Sequence, residues 1–224
     1  MDAPLTDIGS SVSITAVERT LTLAAVLFAV PAFALAKGKT SEIKGKVVWE
    51  MGGVKLNSSN MAVYLVPTGA PLSMPTEGDA RMDQRDLLFK PDMLVISKGQ
   101  NVVFPNEDDT IHNVFSASTA KKFDLGTYPK GQSKTVNFDQ EGPVTLYCSV
   151  HSMMKARIFV APNPLHAVTD GNGEFSIKGV PAGGYKVRTW HGTLPVLEKV
   201  VEVPEGGKEV EVILAPSDRA REAK

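Results

Sequence analysis

Apolar and polar residues trade places in short bursts along most of this chain, and almost nowhere do they recur at helical spacing. After residue 40 the apolar runs are brief, rich in Val, Ile, Phe and Thr, and separated by Gly, Pro, Asn and Asp. That texture predicts strands joined by tight turns. The first two strands fall at 43–49 and 61–66, with Gly52-Gly53 and Asn57-Ser58-Ser59-Asn60 supplying turn chemistry between them. Residues 67–81 hold three prolines and little periodicity, so they read as a linker or long loop. Seven short strands follow, at 86–90, 93–97, 101–105, 112–115, 134–138, 144–148 and 156–161, and their regular spacing predicts a sandwich. Beyond Pro162, residues 168–177 read as strand, tight turn, strand. A second turn at 179–185 feeds a strand at 186–190, and further strands are expected at 197–203 and 208–214. The tail, 216–224, is charged and expected to be flexible.

The N-terminus breaks this pattern. Arg19 precedes an apolar run at 21–33, and Ala34-Leu35-Ala36 forms a small-x-small cleavage site ahead of Lys37. Residues 1–36 therefore read as a signal peptide whose removal leaves 224 − 36 = 188 residues. The alternative is an uncleaved anchor, but the run is short for a membrane span and Pro31 interrupts it. The expectation is a periplasmic or otherwise exported protein without stable membrane insertion after cleavage. The sixteen residues before Val17 are long and polar for the start of a signal, which points to Val17 as the site of initiation.

Charge and cysteine content narrow the function. With 24 Lys and Arg against 25 Asp and Glu, the chain carries no basic excess of the kind a nucleic-acid binder needs. Cys148 is the sole cysteine. Outside the cytosol cysteines usually pair as disulfides, so a lone one is an accident, an intermolecular bridge or a protected ligand. Cys148, His151 and Met154 stand at i, i+3 and i+6, close enough for one loop to wrap three side chains around an ion, and His112 lies 36 positions upstream. Val144, Leu146 and Cys148 share one strand face, which brings the sulfur to the core side. A thiolate and a thioether are soft donors, and two imidazoles with a thiolate and a weak axial Met make the blue-copper arrangement.

Competing readings follow from the same residues. Met153 is the rival to Met154 for the axial position, and a three-ligand zinc site becomes plausible if Met154 is not a ligand. Haem attachment would require Cys-x-x-Cys-His, which is absent. A Cys148/His151 nucleophilic pair lacks any identifiable orienting group. His166 reads as a boundary residue packed between domains and His191 as a strand-end residue. Asp170-Gly171-Asn172-Gly173 reads as a hairpin turn rather than a calcium loop, because it lacks the distal Glu. Glu107-Asp108-Asp109 reads as a solvated turn or as an acidic rim that steers a basic partner.

Cys148-x-x-His151-x-x-Met154 with an upstream His112-Asn113-Val114 resembles the cupredoxin family, most of all its amicyanin-type members. The longer set Gln84-Arg85-Asp86-Leu87-Leu88-Phe89, Phe104-Pro105-Asn106, His112-Asn113-Val114-Phe115 and Cys148-Ser149-Val150-His151 resembles the plastocyanin-like "methylamine utilization protein" group of exported bacterial proteins. The resemblance implies a Greek-key sandwich over 84–162 that holds one type 1 copper ion. His112, Cys148 and His151 would be its equatorial ligands, with Met154 axial. It also implies that Asn113 ties the two ligand loops together beside the thiolate. Thr169-Asp170-x-x-Gly173-x-Phe175 and Val180-Pro181-x-Gly183-x-Tyr185 resemble the carboxypeptidase regulatory-like module, a small transthyretin-like sandwich. Its usual opening strands match Gly45–Val47 and Ala62–Leu65. The cupredoxin unit is therefore expected to be inserted into a discontinuous sandwich made of 41–70 and 165–215, giving an all-β protein. The function implied is one-electron transfer between redox protein partners, not enzymatic catalysis, with copper capture or delivery as the alternative. His151 would be the electron port, with Val150, Met153 and Pro162 as an apolar docking patch around it.

Overall fold

Among the described residues, three strands are apolar on both faces, and that decides how the sheets are layered. In Ala62–Pro67 the odd residues Val63 and Leu65 enter one core while Ala62 and Tyr64 enter another. Met93–Ser97 and Lys155–Ala161 do the same, with Ile96, Ile158 and Val160 on one side and Met93, Val95, Phe159 and Ala161 on the other. Because side chains alternate along a strand, a nearly continuous apolar run is buried on both faces. The computed structural model describes residues 39–51, 53–76 and 78–218. The expected signal peptide, the Val17 start and residues 219–224 lie outside the described residues.

Among the described residues, four sheets of three or more strands stack with three apolar cores between them, beside two two-stranded ribbons, Trp49–Met51 with Val54–Leu56 and Asp83–Arg85 with Leu88–Lys90. The first sheet runs Glu174–Val180, Ser41–Val47, Glu209–Leu214, with the middle strand antiparallel to the first and parallel to the third. The second runs His166–Val168, Ala62–Pro67, Gly183–Trp190, Glu198–Val203. The third has five strands, in the order Lys121–Tyr128, His112–Ser118, Gly142–Tyr147, Lys155–Ala161, Met93–Ser97. The fourth runs Ser133–Phe138, Gln100–Pro105, Ala80–Arg81. Strands from 41–67 thus pair with strands from 166–214, and the strands of 80–161 pair among themselves. Among the described residues the fold is all-β, apart from a 3-10 turn at Pro216–Asp218. That turn occupies the start of the expected flexible tail.

The second and third sheets meet through Tyr64, Phe159 and Trp190. Phe159 packs on Tyr64 with ring centroids 4.9 Å apart and stacks on Trp190 at 5.2 Å. Such aromatic pairs add about 0.5–1.5 kcal/mol beyond the area they bury. Asn60 donates to Asp92 at 3.1 Å, and Ser97 Oγ meets His166 Nε2 at 3.2 Å, so the junction is also tied by polar contacts.

Three expectations are corrected. The strand expected at 86–90 is a hairpin, Asp83–Arg85 against Leu88–Lys90, whose turn residues Asp86 and Leu87 have φ of 58° and 57°. The strand Lys121–Tyr128, absent from the sequence reading, forms an edge of the five-stranded sheet. Its Lys and Asp residues obscure the inward positions Phe123 and Leu125. The turn at 170–173 does not close a hairpin. His166–Val168 pairs with Ala62–Pro67, whereas Glu174–Val180 pairs with Ser41–Val47, so the turn is a corner between two sheets. Asp170 organises it by accepting from the amides of Asn172 and Glu174, both at 2.8 Å.

His166 gives a pH signature to the junction. Burial lowers its pKa from the ordinary 6.5 to about 4. The unfolded chain therefore binds this proton more readily than the folded one. The stabilising contribution is intact above pH 6.5 and disappears as pH falls toward 4. At 1.36 kcal/mol per unit, the loss is up to about 3 kcal/mol. Denaturant titrations at several pH values should show this limb in the wild type and a flatter one in His166→Gln.

Candidate metal centre

The site lies where two connections emerge at one end of the third sheet. His112 opens the strand His112–Ser118, and Cys148 follows directly on Gly142–Tyr147. Val144, Leu146 and Cys148 are buried and Tyr147 is exposed, so the alternation carries the sulfur to the core face one residue beyond the strand's end. The segment after Cys148 then folds tightly, with the Met154 amide donating to the His151 carbonyl at 3.0 Å.

These connections bring His112, Cys148 and His151 together. One donor atom from each lies within 4.8 Å of the others. His112 Nδ1 is 3.0 Å from His151 Nδ1 and 4.0 Å from Cys148 Sγ. An ion about 2.0–2.3 Å from such nitrogen and sulfur donors needs them at roughly this mutual spacing. His112 is wholly buried and Cys148 is 5 % exposed, while His151 reaches partly to solvent. Met154 is wholly buried in the same core as Cys148, whereas Met153 is 81 % exposed.

Asn113 fastens the two connections to each other and to the strand Lys121–Tyr128. Its backbone N–H points at Cys148 Sγ at 3.5 Å, its Oδ1 accepts from the Ser149 amide at 3.2 Å, and its Nδ2 donates to Asp124 at 2.7 Å. The Gly126 amide and the Asn113 side chain hold the Asp124 carboxyl below its usual range, so it remains an acceptor. Beneath the site, Tyr128 pairs in register with His112. Its hydroxyl donates to the Phe104 carbonyl at 3.0 Å and accepts from Gln84 at 2.6 Å. Burial pushes that phenol up to about 12, so it stays protonated.

Asp108 is the residue that sequence reasoning missed. It is neither a freely solvated turn residue nor part of a charged rim: its carboxylate accepts from His112 Nε2 at 2.8 Å and from the amides of Asp86 and Leu87 at 2.7 and 2.9 Å. Burial raises its pKa, but the Leu87 amide, the His112 imidazole and the Asp86 amide outweigh that and leave it below the ordinary value. A carboxylate acceptor places the His112 proton on Nε2, which leaves the Nδ1 lone pair facing Cys148 and His151. The only hint in the sequence was an Asp four residues before the histidine. The remaining acids are neutralised by partners: Glu107 pairs with Arg81 and Arg85, Asp109 with Lys130 and Asp86 with Lys90. The expected acidic rim is thus interleaved with Arg81, Arg85, Lys90 and Lys130.

Pro162 is also corrected, since it lies beyond the far end of Lys155–Ala161, roughly 26 Å along the strand from Met154. Of the exposed apolar residues, Ile111 precedes His112, Val150 precedes His151, Met153 follows it by two, and the Leu87 amide reaches Asp108. His191 stands apart, 3.2 Å from Thr193 Oγ1.

Comparison with protein families matches residues 76–161 to copper binding proteins of the plastocyanin/azurin family. This segment is a cupredoxin domain. The match spans well under half of the chain and leaves the first two sheets outside it. Among solved structures, a purple cupredoxin from Nitrosopumilus maritimus aligns at 24% identity over 37% of this chain and 99% of its own, with a TM-score of 0.33. A copper-containing nitrite reductase from Thermus scotoductus aligns at 22% identity over 45% of this chain and 26% of its own, with a TM-score of 0.37. An amicyanin variant aligns at 20% identity over 37% of this chain and 82% of its own, with a TM-score of 0.35. Comparison with curated proteins gave no match. The donor set of the cupredoxin domain, one thiolate and two imidazoles with a buried thioether in the same core, suits copper in both oxidation states.

Proposed function

We propose that this chain is an exported one-electron carrier holding a single type 1 copper ion, with His112, Cys148 and His151 as equatorial ligands and Met154 as the axial one. The observation that carries this reading is the difference in exposure among three converging donors: His112 and Cys148 are sealed from solvent, and only His151 reaches the surface. When bound, copper would supply a one-electron couple suited to rapid exchange. The protein's part is to hold soft and borderline donors in one rigid arrangement, so that little moves when charge changes. Asn113 fixes the thiolate loop, and the buried core keeps water from the sulfur. The His151 edge, among Ile111, Val150 and Met153, gives a redox protein partner a neutral, apolar place to dock. We read 41–70 with 165–215 as a carboxypeptidase regulatory-like sandwich into which the cupredoxin domain is inserted; the strand pairings between these two segments support that reading.

A second reading, copper capture and delivery, draws on Met153, a thioether exposed beside the site. Repeated chemical reduction and reoxidation of the copper-loaded protein separates the two. The carrier retains one copper per chain through many cycles in the presence of an apo-acceptor, and steady loss to the acceptor would overturn it. The Met154→Leu variant should cost less than about 1.5 kcal/mol of stability, since the swap nearly conserves volume. It should nevertheless raise the reduction potential, by about 59 mV for each tenfold weakening of cupric relative to cuprous binding. Met153→Leu should leave the potential where it is.

A further inference from the structure

The hairpin Asp83–Arg85/Leu88–Lys90 turns through two left-handed residues, and the second of them is leucine where glycine is expected. Asp86 and Leu87 both have φ near +60°, at 58° and 57°. Two-residue hairpin turns of this left-handed kind favour Asn-Gly or Asp-Gly, and a bulky residue such as leucine at positive φ is an outlier. Strain of this sort persists only where the surroundings over-determine it. The Leu87 side chain does not explain it, because it is exposed, and the Asp86 side chain reaches only Lys90, in an exposed ion pair. The backbone does. In this conformation the two successive amides point the same way, and each donates to a different oxygen of Asp108, at 2.7 and 2.9 Å. The carboxylate is gripped at both ends, and Oδ2 also accepts from His112 Nε2 at 2.8 Å. Further contacts brace the same hairpin: the Glu107 amide donates to the Gln84 carbonyl at 2.9 Å, and Arg85 reaches Glu107 at 3.4 Å.

We propose that the Asp86–Leu87 turn is a positioning device for the metal centre: its paired amides lock the Asp108 carboxylate, which fixes the tautomer and ring orientation of His112. Asp108 and Leu87 are positioning residues, since neither touches the ion. The inference takes its purpose from the copper reading above, but its physical content, a hydrogen-bond chain from a strained turn to an imidazole proton, exists in the metal-free protein.

The test uses Leu87→Val, Leu87→Gly and Asp108→Asn in the whole mature chain. Nitrogen-15 NMR of the metal-free protein reads the His112 tautomer, and chelator competition reads affinity for Cu(II) and for Zn(II). In the wild type the His112 ring proton sits on Nε2. Asparagine's NH2 must face one of the two turn amides, so Asp108→Asn should break the paired grip, mix the His112 tautomers and weaken both metals by about 10–100-fold, the usual cost of losing an outer-shell partner. Valine is worse than leucine at positive φ, so Leu87→Val should loosen the turn, mix the tautomers and weaken both metals several-fold. Glycine suits the turn and keeps its amide, so Leu87→Gly should retain the Nε2 proton and wild-type affinity. A wild-type tautomer and affinity in Leu87→Val would overturn the proposal, as would equal losses in the valine and glycine variants. Should Asp108→Asn fail to fold, the exposed Leu87 pair still decides. If the variants behave as expected but the copper protein does not cycle, only the carrier reading falls. Blue, cycling copper with an indifferent turn sinks only this inference.

Discussion

Cys148→Ser protein titrated with Cu(II) should fold, remain colourless and bind the ion more than a hundredfold more weakly than the wild type. The colour expected of the wild type is thiolate-to-copper charge transfer, and a hydroxyl cannot replace a thiolate in that transition. The affinity loss should exceed the roughly 10–100-fold typical of removing an outer-shell partner, because here a ligand itself is lost. Folding should be nearly spared. Serine is close in size, and its oxygen still accepts from the Asn113 amide that now faces sulfur at 3.5 Å. The residue is 5 % exposed at the margin of its core, so a cost of about 1 kcal/mol is expected. Visible and EPR spectra before and after the substitution, with a thermal melt of each protein, give the result. An intense visible band that survives in the variant would exclude Cys148 as the ligand.

That the three converging donors could be picked out of the sequence reflects how few chemistries use these ingredients together. A lone thiol, a histidine three positions on and a methionine six on leave little besides a soft-metal loop, and His112 joined them through the resemblance carried by His112-Asn113-Val114. Burial then separates the two methionines, since Met154 is in the core and Met153 is out. What the sequence concealed is the support. Nothing in Asp86-Leu87 advertises a left-handed turn, because leucine is a residue one would not place there; periodicity instead extended a strand across it. Asp108 looked like a solvated acid because its partners are backbone amides from a segment some twenty residues away, at Asp86 and Leu87. Lys121–Tyr128 was invisible for the opposite reason. As an edge strand it leaves half its length to solvent, and charge is what an edge requires. The corner at 170–173 shows a further limit. Turn chemistry predicts a reversal of the chain, but whether the strands on either side share a sheet depends on partners far away in sequence.

Gly45→Ala should lower the melting temperature by roughly 5–10 °C while leaving the copper spectrum at room temperature unchanged. Gly45 stands in the central strand of the first sheet, opposite Phe175 on one side and Val212 on the other. A methyl group there would lie 2.3 Å from the Val212 carbonyl oxygen and 2.5 Å from the Phe175 ring. The ring belongs to a packed core and the oxygen is backbone, so neither can yield without disturbing a sheet. Overpacking of this kind costs about 1–3 kcal/mol, and with rigid neighbours on both sides the upper part of that range applies. The entropy gained by replacing glycine returns only about 0.4–1 kcal/mol. Gly69→Ala is the control, since a Cβ at Gly69 meets nothing within 4 Å. That variant should be neutral or slightly stabilised. The metal centre should be indifferent because its donors belong to the core between the third and fourth sheets, whereas Gly45 borders the core between the first and second. If Gly45→Ala melted with the wild type, the tight meeting of these three strands would be wrong. If it bleached the copper at room temperature, the two cores would be coupled far more closely than separate layers allow.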